Sequence, residues 1–444
     1  MVTRLTFLPV VLALLVFATA ASAQQRLTLD EAISATLQNN PDVRAARAAE
    51  REGAARVAEA RAAYLPRVDL VEAWQRGNNP VYVFGSLLSQ QRFTEANFAV
   101  DALNRPDAVT NHRAAIAVDQ PLFDSERLTG IRAAGLGRQV AALSVREAEA
   151  DLALEVTRAY GDALRAAASR AAAEAAVAAA REDLARAERS RDVGMATESD
   201  VLSLRVHLAQ VREREIQAAS GVEVASAQLN RLMGAPLDRE LALAEPAPAA
   251  PGVPSREEAE RAAMSDRPAV KRAALQLSLA ENARKAARAA FLPQLSVQGL
   301  YEVNGRTFTD RASSWMVAGQ VRWNLFAGGG DLARLRAATA AAARAGAERE
   351  SAQTALRLEA WTTRAQLEAA LAREEVGRSA VIQARESQRI IRDRYEAGLA
   401  PVTDVLRAAN ALLDAETLRI STIVDVMVAW AALERSTGRV PSGR

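Results

Sequence analysis

Residues 294–325 read QLSVQGLYEVNGRTFTDRASSWMVAGQVRWNL. In the first part, Leu295, Val297, Gly299, Tyr301 and Val303 share one parity, and Gln294, Ser296, Gln298 and Glu302 the other. In the last part, Trp315, Val317, Gly319, Val321, Trp323 and Leu325 alternate with Gln320, Arg322 and Asn324, while Leu300, Met316 and Ala318 break the pattern. A period of two held over about ten residues predicts strands with one apolar face. Asn304-Gly305 and Asp310 supply turn chemistry between them, so a β-hairpin is expected over about 292–326. A weaker version lies upstream, over about 65–123. There Val68, Leu70 and Trp74 mark one strand and Ala114, Ile116, Val118 and Leu122 the other, with a long insert from Arg76 to His112 between them.

The two hairpins belong to two copies of one unit. The run starting Asn40-Pro41-Asp42-Val43 corresponds to the run starting Arg267-Pro268-Ala269-Val270, and Tyr64-Leu65-Pro66 to Phe291-Leu292-Pro293, both at an offset of 293 − 66 = 227. Gln120-Pro121-Leu122-Phe123 corresponds to Trp323-Asn324-Leu325-Phe326 at 326 − 123 = 203, and Gly194, Asp200 and Gly234 to Gly398, Asp404 and Gly438 at 438 − 234 = 204. Ordered landmarks at near-constant offsets indicate an internal duplication. The first copy is longer by 227 − 203 = 24 residues, all between Pro66 and Pro121.

No proline lies between Pro121 and Pro236 or between Pro293 and Pro401, and these stretches are rich in Ala, Arg, Glu and Leu. Leu128–Val193 and Leu332–Ala397 each predict one helix, roughly 100 Å long at 1.5 Å per residue. Such lengths require a coiled-coil or bundle setting. Alanines such as Ala141, Ala142, Ala148, Ala150 and 340–343 bury little apolar area but permit close helix approach. Each helix ends at a glycine, in Val193-Gly194-Met195 and in Ala397-Gly398-Leu399. Thr197 with Asp200 then forms a capping box, and Pro401 suits the first turn of the next helix. Each copy thus contains a helical hairpin.

The expected organisation is a signal peptide at 1–23 and a first repeat at 24–234. That repeat holds an N-terminal helix, the β-hairpin and a helical hairpin at 125–234 with its tip at 193–196. A Pro-rich linker at 235–255 leads to a second repeat at 256–438, with its helical hairpin at 328–438, its tip at 397–400, and a tail at 439–444. The signal-peptide reading rests on Arg4, the apolar run Phe7–Ala18 and Ala21-Ser22-Ala23, with cleavage before Gln24. After cleavage 17 aromatic residues remain, and thirteen of them fall within Tyr64–Asp124 or Phe291–Phe326. Aromatics gathered on alternating strands suggest the interfacial girdle of an outer-membrane barrel, with Trp74, Tyr301, Trp315 and Trp323 as candidates; the preference of aromatics for strands in general is the plainer account. Two hairpins give only four strands, and open strand edges in lipid leave backbone groups unsatisfied. If these strands span a membrane, protomers must therefore share a barrel, and three of them supply twelve strands.

Leu27-Thr28-Leu29-Asp30-Glu31-Ala32, Asn40-Pro41, Tyr64-Leu65-Pro66, Gln120-Pro121-Leu122-Phe123-Asp124 and the paired tips resemble, in order and over the whole mature chain, the TolC family of outer membrane efflux proteins. The resemblance implies a mainly α fold with a transmembrane β part: a homotrimeric twelve-stranded β-barrel, four strands per protomer, continued by a long α-helical coiled-coil tunnel. It implies an exit duct in the outer membrane, reaching into the periplasm, for a tripartite efflux pump or type I secretion system. The partners it implies are a periplasmic adaptor (membrane fusion) protein, an inner-membrane transporter of RND, ABC or MFS type, and outer-membrane lipid. In family terms Val193, Gly194, Met195, Ala397, Gly398 and Leu399 are adaptor-docking tips. Asp404 matches a position in the acidic ring of the periplasmic gate, Asp200 is its first-copy equivalent, and Tyr395 resembles a residue that ties neighbouring hairpins by hydrogen bonds. Arg407 departs from the family, which has a second acidic position there, and an Asp404–Arg407 pair would partly neutralise the ring. Helix capping or a solvated face accounts for each of these residues as an alternative.

No enzyme chemistry is visible. Cysteine is absent, His112 and His207 are the only histidines and lack metal-ligand spacing, and Gly328-Gly329-Gly330 lacks the Gly-Lys-Ser/Thr of a phosphate loop. No cofactor or metal is expected. Lys+Arg 56 against Asp+Glu 54 gives a net charge of +2, which argues against a nucleic-acid partner. The rival reading is a periplasmic coiled-coil scaffold or adaptor without a pore.

Overall fold

The computed structural model of this chain describes residues 26–245 and 252–442, so the expected signal peptide and part of the linker lie outside them. Chain order is α1 (Leu29–Asn39), α2 (Pro41–Ala62), β1 (Arg67–Gly77), α3 (Pro80–Ser89), α4 (Val100–Asn104), β2 (Val109–Phe123), α5 (Ser125–Asp192) and α6 (Glu198–Met233). The second half follows with α7 (Arg256–Asp266), α8 (Pro268–Ala289), β3 (Gln294–Gly305), β4 (Arg311–Arg322), α9 (Gly330–Glu396) and α10 (Val402–Ser436).

Both long helices are present, with 68 residues in α5 and 67 in α9. The Asp124 carboxylate caps α5 by accepting from Glu126 N and Arg127 N, whereas α9 starts from left-handed Gly328 and Gly329. The single N-terminal helix expected in the first repeat is two helices. Asn40, extended at φ −64° and ψ 132°, ends α1 and caps α2 by accepting from Asp42 N at 2.8 Å, and Pro41 fills the first helical position. Pro401 sits one residue before the first turn of α10, not in it.

Short helices stack end to end along the long ones. Asn40 Nδ2 donates to Leu232 O at 3.0 Å, so α2 begins where α6 ends, and both run along α5. In the second repeat, Gly438 after α10 lies against Asp266 and Arg267 at the start of α8, and both helices lie between α5 and α9. The wall is therefore α6-α5-α10-α9 towards the tips and α2-α5-α8-α9 towards the strands. Its main core lies where the stacked ends meet, around Leu29, Ile33, Val43, Val156, Tyr160, Leu229 and Met233.

The four strands form one antiparallel sheet in the order β1-β2-β3-β4, so the two repeats join through β2 and β3 and leave β1 and β4 as edges. The apolar parity holds: Val68, Val118, Gly299 and Val317 stand in one row across the sheet, and Leu70, Ile116, Tyr301 and Trp315 in the next. Two sequence expectations change. β4 stops at Arg322, so Trp323 and Leu325 lie beyond the strand, where the chain turns towards α9. The bounds of the insert, expected at Arg76 and His112, also change: β1 continues to Gly77, β2 starts at Val109, and the residues between fold into α3, a 3₁₀ turn at Glu95–Phe98 and α4. Asn79 caps α3 by accepting from Tyr82 N at 3.2 Å, and Pro80 opens it.

Candidate functional site

The two tips are built alike. At the first, Gly194 (φ +82°) donates to Arg191 O and Met195 N to Ser190 O, both at 2.8 Å. At the second, Gly398 (φ +68°) donates to Tyr395 O at 3.0 Å and Leu399 N to Arg394 O at 2.8 Å. This pair of hydrogen bonds closes a helix when the residue donating the first of them is left-handed, which is why glycine stands at both positions. Ala397 is exposed beside Gly398. Val193, Met195 and Leu399 are 71%, 81% and 70% exposed, so three apolar side chains project from the end of the wall.

Directly behind the tips the two hairpins meet. Tyr395 of α9 packs, with Leu406, against a cluster of Ala187 on α5, Val201 and Leu204 on α6 and Val402 on α10, so all four helices contribute. Its hydroxyl is held above the ordinary range by burial and by the negative charges of Asp200 and Asp183, and makes no hydrogen bond among the described residues. Hairpin-to-hairpin links run through arginines instead: Arg392 on α9 reaches Asp183 on α5 at 3.3 Å, and Arg186 on α5 pairs with Glu396 on α9. Neither pair carries a local sequence signal. Asp200 is engaged in its capping box, accepting from Thr197 N at 3.1 Å. Asp404 is bridged by Arg407 at 3.0 Å, the pairing expected from their spacing. His207 is buried on α6, and burial together with Arg214 lowers its pKa against the opposing pull of Asp183.

The two sheet faces differ in chemistry. On the apolar face Leu70, Val317 and Trp315 are mostly exposed, as is Trp74 towards the insert, and Tyr301 is half exposed. Trp323, at the opposite end, donates from Nε1 to Phe291 O at 3.1 Å. The other face is polar. Arg113 pairs with Glu302 at 2.6 Å, Asn304 Nδ2 donates to Glu302 at 3.2 Å, and Asn111 Nδ2 donates to Asn304 Oδ1 at 2.8 Å. Gln90, just after α3, extends this chain by donating to Asn111 Oδ1 at 3.0 Å and Thr110 O at 2.9 Å.

At mid-wall, Tyr160 on α5 is 1% exposed, and its hydroxyl lies 2.7 Å from both Leu27 O and Ala244 O. It clamps the bridge in which Leu27 N donates to Ala242 O and Ala244 N to Leu27 O. Burial pushes its pKa up to about 12. Nothing in the sequence around it separates this tyrosine from an ordinary helix residue.

The family model for outer membrane efflux proteins matches residues 32–235 and 261–439. The alkaline protease secretion protein AprF of Pseudomonas aeruginosa is 28% identical over 313 residues, covering 68% of this chain and 62% of that protein, less than two thirds of its length. Protein CyaE of Bordetella pertussis is 28% identical over 422 residues, covering 93% of this chain and 84% of that protein. Among solved structures, the CmeC outer membrane channel of Campylobacter jejuni superposes with a TM-score of 0.80 at 16% identity, covering 92% of this chain and 85% of that one.

Proposed function

The chain belongs to the outer membrane efflux protein family, a family of channels and not of enzymes, and from that premise we propose that three copies form an exit duct whose β-barrel crosses the outer membrane and whose helices reach into the periplasm. The observation that carries this reading is the sheet: four strands, one apolar and exposed face, one hydrogen-bonded polar face, and two unpaired edges. An unpaired edge in lipid costs several kcal/mol per group, and pairing β4 of one protomer with β1 of the next removes every edge at twelve strands. The span between the aromatic ends of this face has a suitable height, with the Arg311–Glu72 ion pair at its outer end and Trp323 just past the strand at the other. From Trp323 to the row of Arg311 and Trp74 is 323 − 311 = 12 residues. That is about 40 Å along a strand and about 30 Å along the axis of a barrel tilted by 35–45°, the thickness of a hydrocarbon core.

On this reading Trp74, Tyr301, Trp315 and Trp323 meet the lipid interfaces. Val193, Gly194, Met195, Ala397, Gly398 and Leu399 receive a periplasmic adaptor, which connects the duct to an inner-membrane transporter of RND, ABC or MFS type. Asp200, Tyr395, Asp404 and Arg407 form the periplasmic gate. The charges of Arg113–Glu302 on the polar face and of Asp404–Arg407 at the gate are paired, which leaves Asp200 as the unbalanced charge of the gate. The name of AprF favours a secreted protein as cargo; the name of the family favours efflux. The test is purification from outer membranes in detergent, followed by mass measurement and recording in planar bilayers. A trimer that conducts is expected. A monomer that stays soluble without detergent refutes the duct.

A further inference from the structure

The insert between β1 and β2 has two faces. Val83, Ser86 and Gln90 are buried, and α3 lies across β2, β3 and β4 at their turn end. The contact is on the polar side of the sheet, because Asn111 and Asn304, which join Gln90 in one hydrogen-bonded chain, have the parity opposite to His112 and Val303. The opposite side of α3 carries Val81, Phe84 and Leu88, which are 81%, 37% and 49% exposed. Phe84 continues into an aromatic series, edge-on to Phe93 at 4.8 Å, which is edge-on to Phe98 at 5.1 Å. Beyond Phe93, which meets Phe84, this side of α3 stays open: Val81 and Leu88 remain exposed among the described residues.

We infer that α3 is a lid latched to the luminal wall by Gln90, Asn111 and Asn304, and that three copies close the outer mouth with an apolar constriction made by Val81, Phe84 and Leu88. This rests on the duct proposed above, since only a closed barrel makes the polar face a lumen. Size supports it. Twelve strands 4.7–4.9 Å apart and tilted by about 40° enclose a barrel about 24 Å across between backbones. A helix about 10 Å thick on each side leaves about 4 Å at the centre. An apolar ring of that width stops ions by dewetting. It also bars any folded or bulky solute, so the lid sets what passes and what enters from outside.

The chain has no cysteine, so single introduced thiols report access directly. Ser296→Cys, on the polar face below the lid, and Val317→Cys, on the apolar face, are each treated in intact cells with fluorescein maleimide added from outside. A small charged methanethiosulfonate serves as the control for thiol reactivity. Trimer formation is checked on unheated gels. With Gln90→Ala added, fluorescein labelling of Ser296→Cys should rise about tenfold, the scale expected for losing the two Gln90 hydrogen bonds, while the small reagent reacts as before. Val81→Ser/Phe84→Ser/Leu88→Ser, which leaves the latch intact, should also speed labelling. Equal fluorescein rates with and without both sets of changes, in stable trimers, overturn the lid. Fast fluorescein labelling of Val317→Cys instead overturns the barrel reading itself, a distinct failure.

Discussion

Replacing Arg392 by Ala tests whether arginine bridges hold the two helical hairpins together behind the tips. Arg392 lies 3.3 Å from Asp183, and the two side chains are 30% and 14% exposed. At that separation the attraction is about 1 kcal/mol at the dielectric constant of water and about 5 kcal/mol at an effective value of 20. Rehydration of both groups offsets most of the larger figure, leaving about 1–2 kcal/mol per protomer, a factor of about 5–30 in the ratio of parted to closed hairpins. The neighbouring Arg186–Glu396 pair is more exposed and contributes less. A spin label on Leu399→Cys, in a chain that is otherwise free of cysteine, reports tip-to-tip distances in the trimer by pulsed electron resonance. Arg392→Ala should populate a longer-distance component, and Arg392→Lys should partly reverse it. Unchanged distances in Arg392→Ala and in Arg186→Ala/Arg392→Ala, with trimer stability intact, refute the reasoning.

Gly161→Ala should lower the melting temperature of the detergent-solubilised protein: a Cβ there meets Val424 Cγ1 at 2.4 Å and Met427 Cε at 3.1 Å, and such overpacking costs about 1–3 kcal/mol. Tyr160→Phe should cost about 1–2 kcal/mol by removing the hydroxyl between two carbonyls. Its pH dependence has a fixed sign. The folded-state pKa of about 12 lies above the ordinary 10.0, so this contribution is present below pH 10 and is lost as pH rises towards 12; denaturant titrations should show that loss in the native protein and not in Tyr160→Phe. Arg407→Ala should free Asp404 and raise the cation-to-anion permeability ratio in bilayers, whereas an unchanged ratio in both Arg407→Ala and Asp404→Ala removes the pair from the gate.

The features legible in the sequence are those written locally. Gly194 and Gly398 punctuate helices that their own neighbours build, and the strand parity from Leu295 to Val321 needs only the pleat. The capping box at Thr197 and Asp200 was readable for the same reason. The latch was not, because Asn111 and Asn304 are 193 positions apart and meet only after β2 and β3 pair. The hairpin bridge was not, because Asp183 and Arg392 are two charges among many on two solvated-looking helices. The lid helix did carry a signal, Asn79-Pro80 ahead of an apolar run. That signal is short, and the period-two pattern on either side of it does not extend into it. Trp323 failed in the opposite direction: alternation persisted past Arg322 into residues that leave the sheet.

The alanine content, which by composition alone argues for a poorly packed coiled coil, gains a purpose from the join between strands and helices. In the proposed trimer twelve strands pass directly into twelve helices. A ring of twelve helices spaced at about 10 Å is about 38 Å across between axes, far wider than the roughly 24 Å barrel above it. At the lower limit of about 8 Å the ring shrinks to about 31 Å. Small residues make that limit reachable. The buried face of α5 carries Ala153, Ala159, Ala163, Ala173, Ala180 and Ala187, and that of α9 carries Ala342, Ala360 and Ala370. Gly161 and Gly377 sit where α10 enters between the two long helices, with Val424 and Thr422 pressed against them. Enlarging these positions therefore does more than crowd a core. It widens the helical ring relative to a barrel whose circumference is fixed by strand pairing, and the misfit falls on the short segments 63–66, 290–293, 323–329 and Asp124, where helix and strand join.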